Sequence, residues 1–291
     1  MPSHVTAAHV PGWGSWSFNP IIALALVAAV VVYTRMYRRA SAKATTPPNA
    51  GHWVPYGLGI FVLVIALFSP LDEVGDRYLL SAHMMQHVLL ADIAPALLIL
   101  GLRSPILPLG LSRNALLAVA PGGRSPSNRF FAIATSPWVV VPLWAVATWV
   151  WAIPALFDYT ATHQFLHVIE HVTLFYTGLA LWWLIIEPLP RGRRRPNGQR
   201  LALLGFTRLA SAFVCVPLTW LAVTEYPLYA DAPRAYGLSA IADQRLAGAS
   251  MCFVEIAVFG IAFVVVFLDM LSRSEARMAL LDAASTAGEP Y

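Results

Sequence analysis

Charged residues are scarce in this 291-residue sequence: Asp, Glu, Lys and Arg make up only 12% of it, whereas 58% is hydrophobic and the mean hydropathy is +0.64. Ordinary soluble domains carry about 25% charged residues, so the composition excludes a water-soluble fold. The alternating pattern typical of membrane β-strands is also missing. The long apolar runs therefore predict transmembrane helices, each of which needs ~20 residues to cross a bilayer core ~30 Å thick.

Cysteine is scarce as well. Cys215 and Cys252 lie inside apolar runs and form no CxxC pair, so the sequence indicates neither a redox dithiol nor a zinc ribbon, and each is expected to be a buried structural residue. The basic residues lie in short loops rather than on an aromatic-interleaved surface, so the expected partner is the lipid bilayer and not nucleic acid. Walker, Rossmann and serine-hydrolase motifs do not occur in a suitable context.

Seven apolar runs are long enough to predict spans, so the expected fold class is an all-α integral membrane protein with seven transmembrane helices. We expect an outer N-terminal tail over residues 1–18, the transmembrane domain over 19–271 and a cytoplasmic C-terminal tail over 272–291. The predicted spans are residues 19–36, 53–70, 78–102, 136–157, 163–186, 201–223 and 240–271. The connection 103–135 is expected to be either an interfacial helix or a loose loop.

The basic residues indicate the orientation in the membrane. The positive-inside rule predicts an outer N-terminus and a cytoplasmic C-terminus, because most of the 19 lysines and arginines follow odd-numbered spans. The opposite loops carry acids, among them Asp72, Asp76 and Asp158. The basic residues on the predicted cytoplasmic side are Arg35, Arg38, Arg39, Lys43, Arg103, Arg113, Arg124, Arg129, Arg191, Arg193, Arg194, Arg195, Arg200, Arg273 and Arg277.

Histidines gather at the predicted outer ends of two spans. His83 and His87 form the sequence HMMQH in the third span, and His163, His167 and His171 follow at intervals of four in the fifth. Residues four apart share a helix face, so each helix can direct two imidazoles at one point. Polar groups within a bilayer usually serve a function, and we expect His83, His87, His167 and His171 to bind a metal ion.

The type of metal ion depends on the ligand atoms, and the residues alone leave it open. Imidazole suits copper, zinc, iron and nickel, and thioether neighbours favour Cu(I). Met84, Met85 and Met251 are near the histidines in sequence, and Met251 is the methionine expected to reach the site, although packing is the ordinary role of a methionine in a span. His4 and His9 belong to the outer tail.

Further polar residues inside the spans each have two possible roles. Glu170 shares the helix face of His163 and His167, so it is a candidate ligand or an orienting partner for an imidazole, and His163 is a supporting candidate. Asp92, Arg208 and Glu255 are expected at similar depths and predict a buried ionic cluster. Structural pairing and a proton or ion path both remain open for that cluster.

Two enzyme or cofactor alternatives use the same histidines. The sequence HVIEH at residues 167–171 matches HxxEH, in which two histidines bind zinc and the glutamate activates water, but this reading leaves HMMQH unexplained. A bis-histidine haem needs ligands from two helices, which the two spans could supply. A seven-helix receptor or transporter fits the span count but does not predict converging histidines.

Three stretches together resemble the CtaG-type family of cytochrome c oxidase assembly factors. The first is SAHMMQHVLLADIAP over residues 81–95. The second is WAIPALFD over 151–158, followed by HVIEH and by Trp182-Trp183. The third is SAIADQ over 239–244, followed by Ala247-Gly248 and Met251. The stretches occur in order along most of the chain, which makes the resemblance more specific than any single motif.

The resemblance implies a multi-pass protein of the bacterial plasma membrane that helps to assemble the caa3-type haem-copper oxidase by handling copper. It implies an assembly factor or metallochaperone rather than an enzyme, with oxidase subunits and an outer-compartment copper donor as partners. Carried over by position, the family's polar residues are His83, His87, His167, His171, Asp243 and Gln244, together with Met251. His163 lies outside the matched pattern.

Overall fold

The protein is described by a computed structural model over residues 11–12, 14–119, 125–189 and 195–287, with side chains as far as 282. This part of the chain contains helices and no strands, which confirms the predicted all-α class. Several predicted residues lie outside the described residues, namely His4, His9, Arg124, Arg191, Arg193 and Arg194.

The first half of the chain forms two long helices and a series of shorter ones. A π-helical turn, Leu89–Ile93, joins the helices Leu80–Val88 and Ala94–Gly101, so the two together form one span, Leu80–Gly101. The helices are α1 (Pro20–Lys43), α2 (Ala50–Phe68), α3 (Pro70–Arg77), α4 (Leu80–Val88), α5 (Ala94–Gly101), α6 (Ile106–Gly110), α7 (Arg113–Val119) and α8 (Pro126–Ala134).

The second half contains three long helices. The last of them runs without interruption through the expected C-terminal tail as far as Ala287. The helices are α9 (Pro137–Trp151), α10 (Pro154–Ala161), α11 (Gln164–Ile186), α12 (Asn197–Trp220), α13 (Pro227–Ala230) and α14 (Ala240–Ala287).

Six helices of the described chain are long and apolar enough to cross a membrane, and a seventh span results if α8 and α9 are counted as one helix bent by 54°. The predicted fourth span, 136–157, is not one helix in the structure, because α9 ends at Trp151 and Pro154 starts α10. Proline is favourable at a first helical position, where its missing N–H has no intrahelical partner. The described part of the connection 103–135, without residues 120–124, is mostly helical, as α6, α7 and α8.

Large apolar side chains cover the outside of the bundle. Ile21 on α1 and Phe253 on α14 are 78% and 73% exposed, a pattern that suits contact with lipid chains. Since consecutive spans alternate in direction, His83 and His167 lie at one end, which we call the histidine end. Arg103 and Arg200 lie at the opposite, arginine end.

Pro95 accounts for the π-helical turn. Proline has no N–H, so it cannot donate to the carbonyl of Ala91 four residues earlier, and the helix widens there. Gly178 of α11 packs directly against this turn, and a Cβ atom built on Gly178 would lie 2.0 Å from the Ala91 oxygen. The missing side chain at Gly178 therefore allows α11 to approach the turn that follows α4.

The most extensive interhelical contact of the described chain joins α12 and α14. Cys215 and Cys252, which the sequence predicts as separate buried residues, form a disulfide between these helices. The cysteines are 37 positions apart in the sequence, and it is the packing of the two helices that brings them together.

Candidate metal centre

The start of α4 positions the first histidine pair. The residue before α4, Leu79, has an aliphatic side chain and makes no cap. Asp243 of α14 takes over this role, since its carboxylate accepts hydrogen bonds from the N–H groups of Leu80 and Ser81 at 2.7 and 3.1 Å. Helix α14 thereby fixes the first turn of α4, from which His83 projects.

The four predicted histidines come together inside the bundle. The Nε2 atoms of His83 and His87 are 3.0 Å apart. Between helices, the ring centroid of His83 is 5.3 Å from that of His167 and 6.0 Å from that of His171, and the His87 ring is 5.4 Å from His171. His83, His87 and His167 are buried and His171 is partly buried. The spacing of four on each helix therefore does direct both pairs to one point.

Two carboxylates border the imidazoles. Glu170 is fully buried, and its Oε1 lies 3.5 Å from His87 Nε2. Asp76 of α3 has its Oδ1 3.5 Å from His167 Nε2 and 3.9 Å from His83 Nδ1. Burial raises the pKa of Asp76 to about 6, so this carboxyl group is still largely ionised at neutral pH and can attract a cation.

Tyr229 orients His83. Its hydroxyl donates to the carbonyl of Gly75 at 2.5 Å and lies 3.1 Å from His83 Nδ1. A hydroxyl has one hydrogen, so the oxygen of Tyr229 accepts from His83 Nδ1–H. This assigns to His83 the tautomer with a lone pair on Nε2, the nitrogen that faces the other imidazoles.

The residues present fit a bound metal ion. His83, His167 and His171 offer nitrogens that all lie within 4.8 Å of one another, and His83, His87 and Glu170 form a second such group. Within the described chain, Nε2 of His167, Nε2 of His171 and both oxygens of Glu170 are buried without a hydrogen-bond partner. Buried polar atoms normally have partners, so this cluster has the donor set and the unsatisfied atoms that a cation would use.

A family model described as cytochrome c oxidase caa3 assembly factor, Caa3_CtaG, matches residues 31–273. The chain belongs to this family. Membership confirms the resemblance, and together with the six or seven apolar helices it indicates a multi-pass protein of the bacterial plasma membrane.

Curated relatives of this chain are longer proteins from mycobacteria. Uncharacterized proteins of Mycobacterium bovis and Mycobacterium tuberculosis are each 24% identical to it over 276 residues, and one of Mycobacterium leprae is 25% identical over 277 residues. These matches cover 91% of this chain but only 40% of each relative. No solved structure matches the chain.

The other predicted site residues lie outside the histidine cluster. Asp243 caps α4, and Gln244 binds the loop before α13 by accepting from Glu225 N and donating to the Val223 carbonyl. Met251 is buried and lines a small cavity with His87. His163 is exposed, with Nδ1 2.8 Å from the Tyr159 carbonyl, so the structure does not bring it into the cluster.

The predicted buried ionic cluster of Asp92, Arg208 and Glu255 is present in part. Arg208 and Glu255 form an ion pair at 3.3 Å, and Ser211 donates to the same Glu255 oxygen. Asp92 lies in the π-helical turn and lines the same cavity as Glu255.

Asp76 and Tyr229 are the residues of the centre that sequence reasoning missed. For Asp76 a signal existed, because it lies in an acidic segment seven residues before His83. The separate short helix α3 makes that segment fold back onto α4. For Tyr229 there was no usable signal, since nothing in the loop between α12 and α14 indicates which side chain points inward.

Proposed function

We propose that this protein assists assembly of a haem-copper oxidase by holding Cu(I) at His83, His87, His167 and His171 and passing it to the oxidase. The observation that carries the proposal is the convergence of four imidazoles from two helices, three buried and one partly buried, with unsatisfied nitrogens and the carboxyl group of Glu170 beside them. The copper is cargo and not a resident cofactor, so the proposed role is that of a metallochaperone rather than an enzyme.

The proposed route begins outside the cytoplasm. Arginines at the far end of the bundle support an orientation in which the histidine end faces the outer compartment. A copper donor there would meet the carboxylate of Asp76, which is 30% exposed, before the buried imidazoles. The partners are therefore an outer copper donor and an oxidase subunit in the same membrane.

The spacing of the rings favours a single ion over a haem. Ring centroids between 4.2 and 6.0 Å apart allow several imidazoles to share one ion, but they leave no gap for a porphyrin between opposing histidines. Zinc with Glu170 as a general base uses the same residues and is distinguished by the experiment below.

The test uses purified full-length protein loaded with Cu(I) under reducing conditions, and cells that depend on it for oxidase activity. We expect His83→Ala combined with His167→Ala to lower the copper content, and to leave the oxidase short of copper and activity. The control is His163→Ala, which changes a histidine on the same helix outside the cluster.

Three results would count against the proposal. Normal copper content and normal oxidase activity in the double variant would contradict it directly. A Soret band in the purified protein would support the haem alternative. Bound zinc, together with peptide cleavage that Glu170→Gln abolishes, would support the peptidase alternative.

A further inference from the structure

A small cavity lies inside the bundle beside the histidine centre, on the side of the Arg208–Glu255 ion pair. Its volume is about 40 Å³, compared with the ~10 to 15 Å³ that one water-sized probe needs. His87, Met84 and Met251 are among the residues that line it. The cavity is therefore large enough for a single ion, and its wall includes an imidazole and two thioether side chains.

Asp92 adds a buried carboxyl group to this cavity. Its side chain is 4% exposed, and its Oδ1 has no hydrogen-bond partner in the described part of the chain. Glu255 also lines the cavity, but it is already paired with Arg208 and accepts from Ser211. When both carboxyl groups are ionised, one guanidinium leaves one negative charge without a counter-ion. Such a charge is costly inside a membrane protein unless something compensates it.

The π-helical turn explains why His87 and Asp92 reach the same cavity. The two residues are five positions apart, which in a regular α-helix would separate their directions by about 140°. A π-helical turn closes with i to i+5 hydrogen bonds, as between Ala94 N and the Leu89 carbonyl, and so reduces the angle between the directions of residues five apart. π-helical turns of this kind often occur at functional sites.

We propose that this cavity is a second, inner binding site for a monovalent soft metal ion, Cu(I), with ligands from His87, Met84 and Met251 and charge compensation from Asp92. Imidazole and thioether ligands together favour Cu(I) over zinc or magnesium. A single unpaired negative charge matches a monovalent ion. The identity of the ion rests on the function proposed above, which the inner site extends from one binding position to two.

His87 also contacts His83 in the histidine centre described above, which we call the outer site. The inner site in the cavity is therefore adjacent to the outer site. His83, His167 and His171 can hold one ion without His87, so the outer ion would have nitrogen ligands alone. The inner ion would have sulfur ligands. The two sites are therefore distinguishable by X-ray absorption at the copper edge.

The experiment uses the full chain in detergent, loaded with Cu(I) in competition with a coloured Cu(I) chelator. In the His83→Ala, His167→Ala background we expect copper with sulfur ligands to remain. Adding Met84→Leu and Met251→Leu, which conserve side-chain volume, should remove it. Met85→Leu is the matched control, because Met85 is adjacent to Met84 but does not line the cavity. Asp92→Asn should weaken the remaining binding by about tenfold or more. Thermal unfolding of each variant shows whether it is folded.

Each outcome separates the inner site from the outer one. Wild-type protein with only nitrogen-ligated copper, all of it lost in the histidine double variant, would overturn the inner site and leave the proposed function standing. Copper with sulfur ligands but without the nitrogen-only component would support the inner site and contradict the outer one. Unchanged Cu(I) affinity in Asp92→Asn would mean that the carboxyl group carries a proton, and would overturn its assignment to the ion.

Discussion

The carboxylate of Asp243 accepts hydrogen bonds from both the backbone N–H and the hydroxyl of Ser81, at 3.1 and 2.6 Å. A third hydrogen bond comes from the N–H of Leu80. An anion that accepts the free N–H groups at a helix start also interacts favourably with the helix dipole. The first turn of α4, and with it the direction of His83, therefore depends on a side chain more than 160 positions later in the sequence.

We expect Asp243→Asn to destabilise the protein and to weaken metal binding. Asparagine offers one acceptor oxygen where aspartate offers two, and its NH2 group would face the N–H donors of α4. The loss of a helix cap costs about 0.5 to 2 kcal/mol, and it should appear as a lower unfolding temperature in detergent and a lower Cu(I) affinity. Ser239→Ala is the control, because Ser239 caps only its own helix by accepting from Ala242 N. Equal metal affinity in Asp243→Asn and wild type would show that the cap does not position the centre.

Tyr229→Phe tests the orientation of His83. Without the hydroxyl, His83 Nδ1–H loses its acceptor and the imidazole can adopt the tautomer whose Nε2 carries hydrogen. Loss of such an orienting partner typically lowers metal affinity by about 10- to 100-fold, measured by chelator competition. Tyr226→Phe is a matched control, since Tyr226 is buried nearby but donates to the Ala152 carbonyl. Similar affinities for the two variants would contradict the role given to Tyr229.

Asp76→Asn tests whether the carboxylate of α3 belongs to the metal centre. The substitution keeps the size of the side chain and removes a negative charge 3.5 Å from His167 Nε2. We expect Cu(I) affinity to fall by about 10- to 100-fold at a pH above the pKa of Asp76. Glu73→Gln on the same helix is the control, because Glu73 pairs with Arg77 at the surface. Equal losses in the two variants would indicate a general electrostatic effect.

The convergence of the histidines could be predicted from the sequence because it depends on two simple periodicities. The spacing of four puts His83 with His87, and His167 with His171, on single helix faces. The alternation of spans then puts both pairs at one end of the bundle. Neither inference requires knowledge of how the helices are rotated about their axes.

Other features depend on that rotation and on local breaks, which hydropathy does not report. The disulfide of Cys215 with Cys252 requires that two particular faces of α12 and α14 meet. The break after Trp151 interrupts a continuous apolar run, so the run alone predicts one longer helix. Pro95 predicts an irregularity in the helix. The sequence does not indicate that this irregularity is a π-helical turn, which changes the direction of Asp92.

Gly178 sets how closely α11 approaches that turn, and Gly178→Ala should therefore disturb the centre although it touches none of the histidines. The new methyl group would lie 2.0 Å from the oxygen and 2.9 Å from the carbonyl carbon of Ala91, and backbone atoms cannot move aside as a flexible side chain can. Overpacking of this kind costs about 1 to 3 kcal/mol, and the separation of α11 from α4 should also lower Cu(I) affinity.

The matched control is Gly205→Ala in α12, where the added methyl group meets nothing within 4 Å. Alanine is favoured over glycine in a helix by up to about 1 kcal/mol, so the same substitution should raise the unfolding temperature there and leave metal binding unchanged. Opposite signs for the two variants are expected in thermal unfolding in detergent. If Gly178→Ala is as stable as Gly205→Ala and binds Cu(I) normally, the close packing of α11 on the π-helical turn is not what holds the two histidine pairs together.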